Sequence, residues 1–308
     1  YASWLFQWAF AATTATIVSG AVAERCTLTA YLVFTVCLTG FVYPVVVQMG
    51  WGGNGVFSAW LGSDEPSDYL FKCGVIDFAG SGVVHMTGGV SALVGASILG
   101  RRQSVVDGHV NVPPHGPIFQ TLGTLVLWFG WYGFNAGSTL YLVGNGQIAA
   151  KIMVNTTIAA ASGALGALLL GALLDSSDRL GGIRSRSSTS SAAAIAMLGG
   201  GQDSGSPGVG DGGPSVTLRL EHVNNGVLSG LVAITAGCAV VEPYGACVTG
   251  LGAAAVYMCS SRWLASLGVD DVVDAVPVHG FCGCYGVVMA SLLATKANYR
   301  AVYGIYDG

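Results

Sequence analysis

Two histidines stand where charge is least welcome. His85 lies within DFAGSGVVHMTGG and His279 within DDVVDAVPVHGFCG, both inside apolar runs. An ionisable residue at bilayer depth costs several kcal/mol and usually faces a pore or a partner. In each fragment an Asp precedes the His by eight residues (Asp77, Asp271), a Val precedes it directly, and a Gly follows four later (Gly89, Gly283). A neutral imidazole both donates and accepts a hydrogen bond, which suits proton relay. The bland alternative is one His per helix, each satisfied by a backbone carbonyl; the shared context argues against it. A bis-His haem or metal centre would need further ligands or carboxylates behind the rings. Asp77 lies about 12 Å of helix rise from His85, so no metal and no cofactor are expected. The sequence holds no GxSxG, HExxH or Walker A pattern, so no enzyme is expected either.

The elements around these residues must be membrane helices. Of 308 residues, 52% are hydrophobic and only 9% charged; mean hydropathy is +0.62. A soluble domain carries about 25% charged residues, so a soluble globular enzyme and a disordered protein are both excluded. A net charge of −4 with 12 Lys and Arg offers no basic stripe, so no nucleic acid is expected. Eight stretches of near-spanning length cover 1–22, 27–49, 75–99, 117–137, 148–174, 223–241, 243–265 and 276–294. One all-α polytopic membrane domain over 1–308 is the economical reading. The eight cysteines show no zinc spacing, and all but Cys73 sit in apolar stretches as small hydrophobes.

Loop charge gives orientation. Loops after odd-numbered stretches hold eight Lys and Arg, among them Arg25, Arg101, Arg102 and Arg219; loops after even-numbered ones hold four. The positive-inside rule then puts the odd loops in the cytoplasm and the start of the chain outside. His279 lies five stretches after His85. If the repeat unit is five helices, the two units are inverted, because five is odd. Inverted repeats place a substrate path at their interface. The first unit then lacks two helices, which fits a chain that opens on Tyr1 inside an apolar run.

Residues 176–214, rich in Ser and Gly, read as a disordered cytoplasmic loop inside the membrane domain. Gly88, Ala92, Ala96 and Gly100 form a small-residue ridge for close helix packing. Pro277, two residues before His279, invites a kink at the helix start. Aromatic residues gather at the ends predicted to be outside, around Trp51 and Phe134. They suit an interfacial belt or a cation–π site over a pore mouth.

The strings FQWAF (6–10), SGAVAER (19–25), LTGFVYPVV (38–46), GVIDFAGSGVVHM (74–86), WFGWYGFNAGS (128–138), GCAVVEP (237–243) and VHGFCG (278–283) resemble Amt-type ammonium transporters of the Amt/Rh superfamily, most closely the plant-type branch. The resemblance implies inverted five-helix repeats, with eight of eleven transmembrane helices present here. It also implies transmembrane passage of ammonium or ammonia, a homotrimer and a plasma-membrane location, or, alternatively, an ammonium sensor on the same scaffold. Residue by residue, His85 and His279 resemble the twin pore histidines, and Phe10 and Phe134 the stacked outer gate. Trp51 and Ser138, with Phe10, resemble the outer recruitment site, and Asp77 the buried structural and electrostatic carboxylate.

Overall fold

The computed structural model describes residues 1–63, 65–106, 116–196 and 219–304; side chains are described for these except 66 and 175–196. Inside a bilayer no water satisfies backbone amides, so spanning segments close their own hydrogen bonds as helices. Eight long helices form: α1 (Ala2–Val22), α2 (Leu28–Trp51), α3 (Ser81–Leu99), α4 (Pro117–Gly137), α5 (Gly146–Ala196), α6 (Leu220–Gly237), α7 (Pro243–Ser266) and α8 (Val276–Leu293). A short α9 (Lys296–Tyr303) follows. No named strand occurs among the described residues. Starts and stops follow local chemistry. Thr27 and Thr295 accept the third amides of α2 and α9 through their hydroxyls, and Pro117 and Pro243 open α4 and α7, where a missing amide costs nothing.

The eight helices fall on the eight expected stretches, with two departures. α3 begins at Ser81, not at Val75; residues 75–80 are non-helical, so Asp77 stands ahead of the helix rather than on it. The backbone of α5 continues as helix through Ala196, into the stretch expected to be disordered, whose remainder, 197–214, lies outside the described residues.

Five helices are long and apolar enough to cross a membrane on composition alone: α1, α2, α3, Gly146–Leu174 of α5, and α8. α6 falls short because it is not a lipid-facing helix. Thirteen of its 18 residues are buried, so protein, not lipid, surrounds it and polar residues are tolerated there. Its glycines set the spacing. A Cβ on Gly226 or Gly230 would meet backbone of α5, at Gly163 or Ala159.

α3 and α8 pack antiparallel. A Cβ on Gly82 would touch Val287, one on Gly283 would meet Met86, and one on Gly89 would run into the Gly280 backbone. As numbers rise along α3 they fall along α8. Gly88 seats against Ile17 and Thr14 of α1, and Ala92 and Ala96 are buried beside them. Gly100 takes no part in that ridge; it ends α3 with φ of 74° and no close neighbour.

At the Arg-rich end, ion pairs tie three segments. Arg102 bonds both carboxylate oxygens of Asp270, with Nε at 2.9 Å from Oδ2, and reaches Glu24 at 3.3 Å. Arg25 approaches the same carboxylate at 3.5 Å and donates to the Asp270 carbonyl. Burial works to raise the Asp270 carboxyl, but the bonds and charge of Arg102, with Arg25, hold it below the usual carboxylate range.

Two predictions follow from this packing. Gly89→Val should lower the thermal midpoint of the full-length protein by the equivalent of about 1–3 kcal/mol, since two backbones must part. Gly123→Ala, with nothing near it, should stay within about 0.5 kcal/mol. A carboxyl held low stabilises the fold above its unfolded value of about 3.9 and loses that contribution as pH falls through its folded value. Asp270→Asn should therefore melt earlier than wild type at pH 7, and the two melting curves should converge as pH falls through the lowered folded value of Asp270.

Candidate functional site

Residues 75–80 hold the start of α3 in place. The amides of Phe78 and Ala79 donate to the Ala236 and Thr235 carbonyls of α6 at 3.0 and 3.2 Å. Ser81 bridges the same helix, donating to the Val232 carbonyl at 2.6 Å and accepting from the Ala236 amide at 2.7 Å. Gly80, at φ of 100°, turns the chain; a side chain there is strained, and its Cβ would also press on Val84 and the Trp51 ring. Asp77 then satisfies the first amides of α3. Its Oδ1 accepts from Gly80 at 3.0 Å, and its Oδ2 from Gly82 and Val83 at 3.0 and 2.9 Å.

Both histidine-bearing helices open in a π turn, Ser81–Met86 in α3 and Val276–Phe281 in α8. A wider turn re-aims side chains, and such turns recur at functional sites. Pro277 sits in the first turn of α8, where its missing amide is no loss, so it opens the helix rather than kinking it. The two turns bring the imidazoles together. His85 Nδ1 lies 3.2 Å from His279 Nδ1, with ring centroids 5.2 Å apart and planes 15° apart. One nitrogen donates and the other accepts; the tautomer decides which. His85 is fully buried, and its Nε2 has no hydrogen-bond partner. His279 is half-buried.

Aromatic rings close one side of the pair. Trp131 of α4 stacks on His85 with centroids 5.1 Å apart, and its indole donates to Thr235 Oγ1 at 2.9 Å. Phe134, one helical turn on, lies 5.4 Å from His85. Phe10 of α1 stacks on Phe134 at 4.1 Å and 18°. Trp51, ending α2, meets Phe10 edge-on at 5.9 Å and donates its indole N–H to the Asp77 carbonyl at 2.6 Å. Beyond the Phe pair opens a cavity of about 410 Å³, lined by Phe6, Trp51, Trp60, Ser138 and Asn145 among others. Ser138 donates to the Phe134 carbonyl at 2.9 Å, which leaves its oxygen lone pairs free to accept.

At the far side of the pair, the loop before α8 carries three carboxylates. Asp271 Oδ2 accepts the Val276 amide at 2.6 Å. Asp274, at φ of 58°, accepts from Tyr257 at 3.0 Å, Ser261 at 2.8 Å and Asn225 at 3.3 Å. Burial pushes Asp271 up to about 6, against the nearby amides of Val276, Ala275 and Val273. No group of three or more metal-ligating side chains occurs among the described residues.

Six of the seven residues singled out in the sequence gather in one neighbourhood, and the seventh, Asp77, supports it from the start of α3. Trp51 and Ser138 line the cavity, Phe10 and Phe134 stack beneath it, His85 and His279 pair below them, and Asp77 braces α3. Trp131 and Thr235 escaped the sequence reading. Spacing was the available signal: 131, 134 and 138 share one face of a helix, and Trp131 was hidden among five aromatic residues in the WFGWYGF run.

Long apolar helices, five of them able to cross a membrane, with a hydrogen-bonded histidine pair beside stacked aromatic rings, define an all-α polytopic membrane protein. The Ammonium Transporter Family profile matches residues 1–200 and 211–308, and the chain belongs to that family. It is 38% identical to ammonium transporter 1 member 1 of Arabidopsis thaliana over 320 residues, covering 100% of this chain and 55% of that protein. It is 37% identical to the ammonium transporter Amt2 of Archaeoglobus fulgidus over 311 residues, covering 98% and 54%. A solved structure described as a sensor Amt protein superposes with a TM-score of 0.68 and 29% identity, covering 97% of this chain and 62% of that one. The chain thus spans about half the length of the curated relatives it matches.

Trp131→Phe keeps a ring on His85 but removes the bond to Thr235. The expected cost is about 1 kcal/mol of stability, with a broadened His85 ring signal in NMR spectra of isotope-labelled full-length protein. A sharp, unshifted signal would show that Trp131 does not hold the ring.

Proposed function

We propose that the full-length protein carries ammonium across a membrane along this route, on the strength of one observation above all: two imidazoles bonded Nδ1 to Nδ1 behind a stacked Phe pair, one of them with an unpartnered Nε2. The cavity recruits the cation. Aromatic faces such as Trp51 attract it by roughly 0.5–2 kcal/mol, and Ser138 Oγ accepts an N–H. Potassium receives the same attraction but cannot donate a hydrogen bond.

Past Phe10 and Phe134 the surroundings are apolar, and a bare cation would lose several kcal/mol of solvation. Ammonium escapes that cost by giving up a proton; potassium has no neutral form. Ammonia then passes hydrogen-bonded to the imidazoles. The proton travels separately, along a path that includes the His85–His279 bond, because a neutral imidazole accepts on one nitrogen while donating from the other. The net event moves one charge, which the membrane potential drives inward by about 2.3 kcal/mol per 100 mV. Loop charge supports an orientation with the Trp51 cavity outside and the Arg25–Arg102 end in the cytoplasm. Family membership supports a plasma-membrane homotrimer with one route per subunit, built from one membrane domain in which 176–214 is a cytoplasmic loop.

A second reading is a sensor on the same scaffold, favoured by the resemblance to the sensor Amt protein. Ammonium-dependent signalling without ammonium current would identify it. The test records currents from full-length protein in proteoliposomes. His85→Ala and His279→Ala should each cut ammonium current at least about tenfold or admit potassium, a barrier change of about 1.4 kcal/mol or more. Unchanged, potassium-excluding currents in both variants would remove the imidazoles from the mechanism. Trp51→Leu should raise the half-saturating ammonium concentration about 2- to 30-fold, the equivalent of the cation–π range.

A further inference from the structure

The two histidine-bearing helices are opened by carboxylates at the same spacing, Asp77 before His85 and Asp271 before His279. Their engagement differs. Asp77 uses both oxygens on three amides. Asp271 uses Oδ2 on the Val276 amide, while Oδ1 is buried with no hydrogen-bond partner. Both neighbouring acids are committed. Asp270 is held at both oxygens by Arg102 and approached by Arg25. Asp274 is held at both by Ser261, Tyr257 and Asn225. In this loop Asp271 alone keeps a carboxylate oxygen unengaged, five residues before the start of the turn that presents His279 and two residues before the exposed Val273.

We propose that Asp271 is a second cation station, where ammonium re-formed below His279 is held before release at the Arg25–Arg102 end. This rests on the transport reading above. The step balances simply. The His279 imidazolium gives its proton to the ammonia lone pair, a fourth N–H bond forms, the ring returns to neutral, and the new cation pairs with the Asp271 carboxylate. A buried anion with an open lone pair suits a small N–H donor, since leaving such an oxygen unpaired costs free energy. The charged and titratable groups around it are Asp270 with Arg25 of α1, Arg102 and Glu24, then Asp274 with Tyr257 of α7, and His222 of α6 acting on Asp274. Burial places the Asp271 carboxyl at about 6, so the station empties as that side is acidified.

The test is Asp271→Asn in the full-length protein. Asparagine keeps an acceptor for the Val276 amide and removes only the charge. Currents are recorded in proteoliposomes while pH at the Arg25–Arg102 face is lowered from 7.5 to 5.5. The ionised fraction of a group near 6 falls about fourfold over that range, so wild-type current should fall about two- to fourfold, and the variant should change by less than about 1.3-fold. Asp274→Asn should keep the wild-type profile. A variant that tracks wild type overturns the proposal. If the wild type carries no ammonium current, the transport reading fails instead. The station is then tested by infrared titration of purified protein with ammonium chloride as probe. A carboxyl band near pH 6 that ammonium shifts, and that Asp271→Asn abolishes, supports it; a band that survives the substitution overturns it.

Discussion

The bond between two imidazoles inside an apolar helix bundle is the constraint from which the rest of the structure follows. Two basic rings whose Nδ1 atoms lie 3.2 Å apart cannot both carry charge in so dry a place, because like charges at that separation and burial repel strongly. The pair therefore carries at most one positive charge, and at the shared bond one Nδ1 donates while the other accepts. In the proposed function that state welcomes a neutral hydrogen-bonding molecule and rejects a bare cation. The stacked Phe10 and Phe134 cover one side of the pair, and Trp131 stacks on the plane of the His85 ring.

Holding two rings this close requires two backbones closer than ordinary side chains allow. The Gly89–Gly280 contact supplies that approach. The π turns then swing both histidines to the same seam. Carboxylates fix where those turns begin, Asp77 and Asp271, one ahead of each helix. α6 completes the frame. It is nearly enclosed by protein, and its carbonyls bond the non-helical segment that carries Asp77. Breaking any one of these contacts moves a ring, so the selectivity proposed for the pair depends on packing far from it.

Much of this was legible in the residues. Helix number and position followed from apolar length, since lipid admits little else. The paired Asp-to-His spacing pointed to a repeat, and the odd offset of five helices from one histidine to the other to an inverted one; the antiparallel α3–α8 seam agrees with that. Other features were hidden for physical reasons. Apolar content alone carried the third stretch back to Val75, but α6 carbonyls bond the amides of Phe78 and Ala79 and keep 75–80 out of the helix, a long-range contact no local pattern reports. α6 itself looked like a weak span because its neighbours, not lipid, set its composition. Trp131 was lost among aromatic residues whose ordinary role is packing, and only its helical register with Phe134 and Ser138 separates it from them. The difference between Asp77 and Asp271 lies in which amides each carboxylate meets, which the shared spacing conceals.

The most direct measurement is of the bond itself. In full-length protein labelled with ¹⁵N at histidine, a scalar coupling across Nδ1–H···Nδ1 should join the His85 and His279 signals. One Nδ1 should carry the proton and the other should not, and the coupling should vanish on replacing either residue. Two uncoupled rings, each protonated at Nδ1 and each bonded to water, would contradict the account.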